Sequence, residues 1–267
     1  MSTNETNELT LPPMQIITQQ EHHVQVEDIG VNAIKVLRRL TSAGYEAYLV
    51  GGCVRDLLLN KHPKDFDIAT DATPEQIKAQ FKNCRIIGRR FRLAHVIFGR
   101  EVIEVATFRG PHVEQTKATD KSKKDGEGQL VRDNVFGSLQ QDAARRDFTI
   151  NAMYYNVNDG SIRDFAGGLH SIKRKTISLI GDPETRYRED PVRMLRAVRF
   201  AAKLDMQIDS ASEHAIKKFA YLLENIPPAR LFEEVLKLFF NGQGLATYHL
   251  LLKYGLFDKL SRKQGLC

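Results

Sequence analysis

Two short runs of this sequence hold residue types able to bind a phosphate beside a metal ion. One is Gly51-Gly52-Cys53-Val54-Arg55-Asp56, and the other is Asp65-Phe66-Asp67. The apolar run Glu46-Ala47-Tyr48-Leu49-Val50 reads as a strand, broken by the glycine pair into a helix from Val54 to Leu59. Glycines at such a turn let the backbone approach a ligand, and a helix N-terminus directs N–H groups at an anion. Arg55, one turn in, is placed to add a bidentate phosphate contact. From Asp65 to Thr70 the alternation is that of a strand, with both carboxylates on one side and Phe66 and Ile68 on the other. Two acids on one strand face repel unless a cation sits between them, and Mg²⁺ held by carboxylates and substrate phosphates answers that need. Alone, a glycine pair is commonly a plain turn and Asp-x-Asp a plain loop. In this order and spacing they point to nucleotidyl transfer, with Asp65 and Asp67 as metal ligands.

The surrounding elements are legible from apolar spacing. Ile34, Leu37 and Leu40 mark a helix over 33–43, ended by Gly44. Thr73-Pro74-Glu75 opens a second helix, cap then proline, that runs to Lys82. Arg92–Phe98 and Glu101–Arg109 read as strands joined at Gly99-Arg100, and the polar stretch 111–128 as a mobile loop. Helix is expected over 139–154, then two short strands and a Gly167-Gly168 turn within 161–180. From Tyr187 onward the spacing is helical throughout, with caps at Asp209 and Pro227-Pro228. The fold class is therefore α+β: a head with a mixed sheet, then an all-helical neck. The boundaries are a disordered lead-in over 1–27, a head over 28–182 and a neck over 183–267.

Composition narrows the partners. The 267 residues are 42% hydrophobic, with a formal net charge of +6, which suits a phosphate-rich partner. No apolar run approaches the ~20 residues of a membrane span, and the polar start shows no secretory signal. Cys53, Cys84 and Cys267 are scattered, odd in number and without zinc spacing, which implies a reducing cytoplasm. His22-His23 reads as incidental.

The run Tyr48–Thr70 resembles the catalytic motif of the polymerase-β-like nucleotidyltransferase superfamily, in the class of bacterial poly(A) polymerases and tRNA CCA-adding enzymes. The resemblance continues through Arg145-Arg146-Asp147-Phe148-Thr149-Ile150-Asn151-Ala152 and Glu189-Asp190-Pro191-Val192-Arg193, and spans roughly 28–260. The stretch from Cys84 to Val96 is similar to the poly(A) polymerase branch in particular. What the resemblance implies is a polymerase-β-like head and two-metal transfer of AMP from ATP to an RNA 3′ end. A CCA-adding enzyme is the alternative within the class, and a non-catalytic RNA-binding fragment the alternative outside it.

By that resemblance Asp147 is an active-site acid at the ribose hydroxyl, Arg146 a phosphate ligand, and Gly51, Gly52 and Arg55 complete the triphosphate site. Asn151, one helical turn past Asp147, is placed to assist. Read without it, Asp147 is an N-cap and the arginines a solvated turn. Glu104 is a rival third carboxylate on the neighbouring strand, ranked below Asp147. Asp190 and Arg193 are implied to read the base edge, where an amine beside a ring nitrogen selects A or C over U or G. Asp190-Pro191 is equally a plain helix start. Arg193, Arg196 and Arg199 form a stripe that must face water or an anion-filled cleft. Arg85, Arg89, Arg90 and Arg92 form a basic cluster, either a solubilising turn or a contact for the RNA backbone. Arg230-Leu231-Phe232-Glu233-Glu234 is expected to brace the neck. Family members usually continue past the neck, so the end at Cys267 carries the expectation of weak RNA grip and distributive addition.

Overall fold

The computed structural model describes residues 11–88, 92–110, 135–240 and 242–264. The first ten residues of the lead-in, Arg89, Arg90 and the loop read over 111–128 lie outside the described residues. The chain divides into two compact units. The first takes the chain up to Arg146 together with Asn151–Gly168, and the second takes Asp147–Ile150 together with the described residues after Gly168.

The first unit is built on a mixed eight-stranded sheet. Its strands are β1 (Gln15–Ile17), β2 (Ala47–Val50), β3 (Asp67–Thr70), β4 (Cys84–Ile87), β5 (Leu93–Phe98), β6 (Glu101–Thr107), β7 (Met153–Tyr155) and β8 (Ile162–Asp164). They lie in the order β1-β8-β7-β2-β3-β6-β5-β4. β3 and β6 run parallel, pairing Asp67 with Glu104 and Ile68 with Val105. β5 and β6 form the expected hairpin across Gly99-Arg100, with Phe98 opposite Glu101. Helices α1 (Val31–Ser42), α2 (Gly52–Leu58), α3 (Pro74–Gln80) and α4 (Leu139–Ala144) complete the unit. α1 buries Ala33, Ile34, Val36, Leu37 and Leu40, an apolar stripe of helical period. α3 starts at a reciprocal cap: Gln76 N–H donates to Thr73 Oγ1, and Thr73 N–H to Gln76 Oε1.

Three sequence expectations are corrected here. The described part of the lead-in is structured, because Gln15–Ile17 adds an edge strand to β8 and buried His22 bonds Gly160 O at 2.9 Å. A three-residue edge strand in a polar stretch leaves little periodic signal. Helix does not run from 139 to 154; α4 ends at Ala144, a single 3-10 turn spans Thr149–Asn151, and β7 follows. Tyr154 and Tyr155 are fully buried in β7, paired to β2 through Val50 and Leu49, so tertiary pairing overrides the helical pattern. Tyr154 packs with Tyr48, Val50, Ala69, Phe108, Ala143 and Phe165 in one apolar cluster. Finally, 147–150 leaves the first unit because Thr149 N–H donates to Ser178 O and Ile180 N–H to Asp147 O. The boundary therefore falls before the expected 182/183: 147–150 and the chain from Leu169 onward group with the second unit.

In the second unit, α5 (Gly168–Lys173), whose first residue belongs to the first unit, leads to β9 (Thr176–Ile177). α6 (Pro183–Glu189), α7 (Val192–Leu204), β10 (Gln207–Ile208), α8 (Ser210–Phe219), α9 (Pro228–Phe239), α10 (Gly244–Lys253) and α11 (Phe257–Gln264) follow. The expected all-helical run is interrupted by β10, which pairs in parallel with β9. α7 buries Met194, Leu195, Ala197, Val198, Phe200 and Ala201, and Phe200 meets Phe148 edge-on at 5.4 Å. Asp209 caps α8 by accepting from Ser212 N–H at 3.0 Å. Among the described residues no helix is long and apolar enough to cross a membrane.

Candidate active site

The strand-to-helix turn after β2 is made by Gly51, whose φ of 78° and ψ of −128° suit glycine alone. A Cβ at Gly51 would lie 3.4 Å from Arg146 Nη1, and one at Gly52 would lie 3.4 Å from Arg55 Nη2. Each glycine thus faces a guanidinium. Arg55 is almost fully buried; its Nε and Nη2 donate to Asp56 Oδ1 at 2.8 and 2.7 Å, and its Nη1 to Asn151 Oδ1 at 2.7 Å. Arg146 donates through Nε to Tyr154 Oη at 2.9 Å, through Nη2 to Asp142 Oδ2 at 3.0 Å and through Nη1 to Asn151 O at 3.3 Å. Asn151 therefore belongs to the site through both arginines. The helical turn expected to align it with Asp147 does not form.

Gly51→Ala is expected to destabilise the protein by about 1–3 kcal/mol, because an L-residue is strained at that φ and ψ. The contact to Arg146 is an ordinary one, so the loss comes from the backbone. Urea unfolding measures it, and an unchanged midpoint would show that the turn relaxes freely.

The acids gather at the start of β3. The strand begins at Asp67, so Asp65 precedes it rather than sharing its pleat as expected. Asp65, Asp67 and Glu104 are all solvent-exposed. Partial loss of hydration and then the Glu104 carboxylate push Asp67 up to about 6; Arg146 pulls the other way and Asp65 adds a smaller push. Glu104, ranked below Asp147 from sequence, is the acid that strand register sets beside Asp67. His95, opposite Glu104 on β5, brings Nε2 within 3.3 Å of Glu104 Oε1. Among the described residues no three His, Cys, Asp or Glu side chains are gathered closely enough to hold a metal by themselves. A cation at Asp67 would take its remaining ligands from substrate oxygens and water, as Mg²⁺ commonly does.

The second unit carries the other candidates. Asp147 accepts from Phe148 N–H at 2.8 Å and from Arg196 Nε at 2.7 Å. Arg193 Nη1 donates to Glu189 Oε2 and to Arg186 O, both at 2.8 Å. Asp190 accepts from Val192 N–H at 3.3 Å and from Arg230 Nη2 at 2.8 Å, but it closes α6 while Pro191 occupies the N-cap of α7, one residue later than the cap read from sequence. Arg230 thus braces this unit through Asp190 itself. Arg199 lies over the Phe200 ring, 5.1 Å from its centroid. The arginine stripe of α7 is half-buried rather than fully solvated. In the basic cluster, Arg85 is exposed on β4 while Arg92 pairs with Glu75. Sequence reading passed over Asp142, Tyr154, Asp56 and Glu189. An acid three or four residues before an arginine, as in Asp142 to Arg145 and Arg146, or Glu189 to Arg193, was the available signal.

The poly(A) polymerase head domain family matches residues 47–178, and a probable RNA- and SrmB-binding site of polymerase A matches residues 205–263. Poly(A) polymerase I of Salmonella typhimurium is 58% identical over 249 residues, covering 93% of this chain and 54% of that protein. The chain belongs to the poly(A) polymerase and CCA-adding nucleotidyltransferase family. Within that family, the CCA-adding enzyme of Lactobacillus helveticus is 38% identical over 80% of this chain and 51% of its own length. The crystal structure of the Bacillus stearothermophilus CCA-adding enzyme in complex with CTP superposes with a TM-score of 0.68 at 37% identity, covering 84% of this chain and 52% of that one. The polymerase-β-like head followed by a helical region is thereby the fold of this chain. The chain spans about half the length of the curated relatives it matches.

Proposed function

We propose that this chain carries the active site of a template-independent polyadenylating enzyme, which transfers AMP from ATP to the 3′ end of RNA. One observation carries the reading: exposed Asp67, paired in register with Glu104, feels the charge of Arg146, and Arg146 in turn lies against the Gly51 turn. A carboxylate centre adjoining a glycine turn lined by two guanidiniums suits a nucleoside triphosphate. In the reaction the RNA 3′ oxygen attacks the α-phosphorus, the new P–O bond forms, and the bond to the β-phosphate oxygen breaks to release pyrophosphate. Gly51, Gly52, Arg55 and Arg146 hold the triphosphate, with Asn151 fixing both arginines. Asp147 takes the ribose hydroxyl, Asp190 and Arg193 the base edge with Arg196 and Arg199 beside them on α7, and exposed Arg85 with Arg92 the RNA backbone.

The acids fit Mg²⁺, since carboxylates are hard oxygen donors and strand register sets Glu104 beside Asp67. Asp65 and Asp67 would hold the ion, with Glu104 as the adjoining acid. Such an ion lowers the pKa of the attacking hydroxyl and offsets charge on the leaving pyrophosphate. A reducing, cytoplasmic setting is supported by Cys53 and Cys84, both buried and free.

Adenine is favoured over cytosine because the poly(A) polymerase relative is more similar than the CCA-adding one, at 58% against 38% identity. The test is addition to a short RNA with Mg²⁺ and each nucleoside triphosphate supplied singly. ATP is expected to extend the RNA well ahead of CTP, with UTP and GTP poorest. Addition of CTP before ATP on a tRNA would reassign the chain to CCA addition. No addition with any nucleotide would favour a non-catalytic RNA-binding role.

A further inference from the structure

The side chain that most nearly controls Arg146 is Asp142. It is 1% exposed, inside α4, and accepts from two guanidiniums, a phenolic hydroxyl and a backbone N–H. Its Oδ2 accepts from Arg146 Nη2 at 3.0 Å, from Arg146 Nε at 3.2 Å and from the Tyr154 hydroxyl at 2.7 Å. Its Oδ1 accepts from Arg145 Nε at 3.0 Å, from Arg145 Nη2 at 2.5 Å and from Arg109 N–H at 3.1 Å. A carboxylate this deeply buried is costly unless its lone pairs are filled, and here they are. The flanking arginines outweigh burial and hold Asp142 at about 2, so it stays charged throughout the working pH range. The same contacts push Arg146 further up, so this guanidinium keeps its charge as well.

The geometry is directional. Asp142 and Tyr154 occupy the Nε and Nη2 side of Arg146, and Tyr154 also lies beneath it, with the guanidinium carbon 5.3 Å from the ring centroid. The Nη1 side is left toward Asn151 O and the Gly51 turn. Simple charge neutralisation needs no such arrangement; a surface acid would serve. Fixing one edge of a fork while presenting the other is what bidentate phosphate recognition requires.

We propose that Asp142, supported by Tyr154, is a positioning residue for the triphosphate: it aims Arg146 at the Gly51 turn without touching the nucleotide. This rests on the reading of Arg146 as a phosphate ligand. Asp142 therefore acts on phosphate affinity and leaves base and ribose recognition alone.

The test uses the full chain with Mg²⁺ present and calorimetric titration of ATP, AMP and inorganic tripolyphosphate. Asp142→Asn is expected to weaken ATP and tripolyphosphate by about ten- to a hundredfold, the worth of a charge-assisted contact, while AMP affinity moves less than about twofold. Equal weakening of all three, or of none, overturns the proposal. Tyr154→Phe, which keeps the ring and removes one donor to Oδ2, is expected to act the same way to a smaller degree. It decides the matter if Asp142→Asn does not fold: loss of the ATP-over-AMP preference supports positioning, and an unchanged preference overturns it. Arg146→Lys in the same assay separates the two readings. If Arg146→Lys keeps wild-type tripolyphosphate affinity, the assignment of Arg146 to the phosphates fails. If Arg146→Lys loses it while Asp142→Asn does not, only the positioning role of Asp142 fails.

Discussion

Asp67→Asn is expected to lower nucleotide addition at least about a hundredfold, since several kcal/mol of transition-state stabilisation depend on a charged ligand there. The fold should survive, because Asp67 is exposed at the first position of β3 and asparagine preserves its shape. Stability should in fact rise in a defined window. Asp67 titrates at about 6 in the folded protein against an ordinary 3.8, so above pH 6 the folded state holds a carboxylate it disfavours. Asparagine removes that burden, and the stabilisation should fade between pH 6 and 3.8 and be absent below. The same raised pKa makes wild-type activity fall as pH drops through about 6, when a proton competes for the metal-binding oxygens. Single-turnover rates across pH 5–8 and urea unfolding at pH 8, 5 and 3 check each part. A variant keeping more than about a tenth of the wild-type rate would remove Asp67 from the metal site.

Why the sheet was legible and the site only partly so is a matter of range. The turn at Gly51, the cap at Thr73, the β5–β6 hairpin and the α7 stripe are local, written in residues a few positions apart. β7 was not. Met153-Tyr154-Tyr155 follows an amphipathic run and becomes a strand only because β2 and β8 lie on either side of it. Losing that strand to a helix misplaced Asn151, whose partners are Arg55, nearly a hundred positions away, and Arg146. The pairing of Asp67 with Glu104 is likewise a register fact, invisible to spacing along the chain. Gly51, Gly52, Arg55, Arg146 and Asp67 all fall within the first unit. What the chemistry omitted were the buried partners, Asp142 and Tyr154 above all, which sequence presents as an ordinary helical acid and an ordinary core aromatic.

Arg193→Ala is the second large expectation, and its signature is selectivity. Arg193 is anchored at one Nη1 by Glu189 and by the Arg186 carbonyl, and its side chain is 16% exposed. Asp190 is anchored in parallel by Arg230. Two groups pre-set by separate partners are suited to reading a base edge, because little side-chain entropy remains to be lost on binding. If Arg193 donates to the base, its removal should cost about 1–3 kcal/mol of discrimination, a fall of roughly five- to 150-fold in the preference for ATP over UTP and GTP. The rate with ATP should fall while that with UTP changes less. A purely structural arginine makes a different forecast: a lower unfolding midpoint and all four nucleotides slowed by one factor. Arg230→Ala supplies the scale for that outcome, since its exposed pair with Asp190 is worth under about 1 kcal/mol of stability. Ratios of kcat/KM for the four nucleotides, measured beside urea midpoints for both variants, separate the two forecasts. An unchanged ratio with a shifted midpoint would return Arg193 to the helix as a strut and leave base choice to other residues.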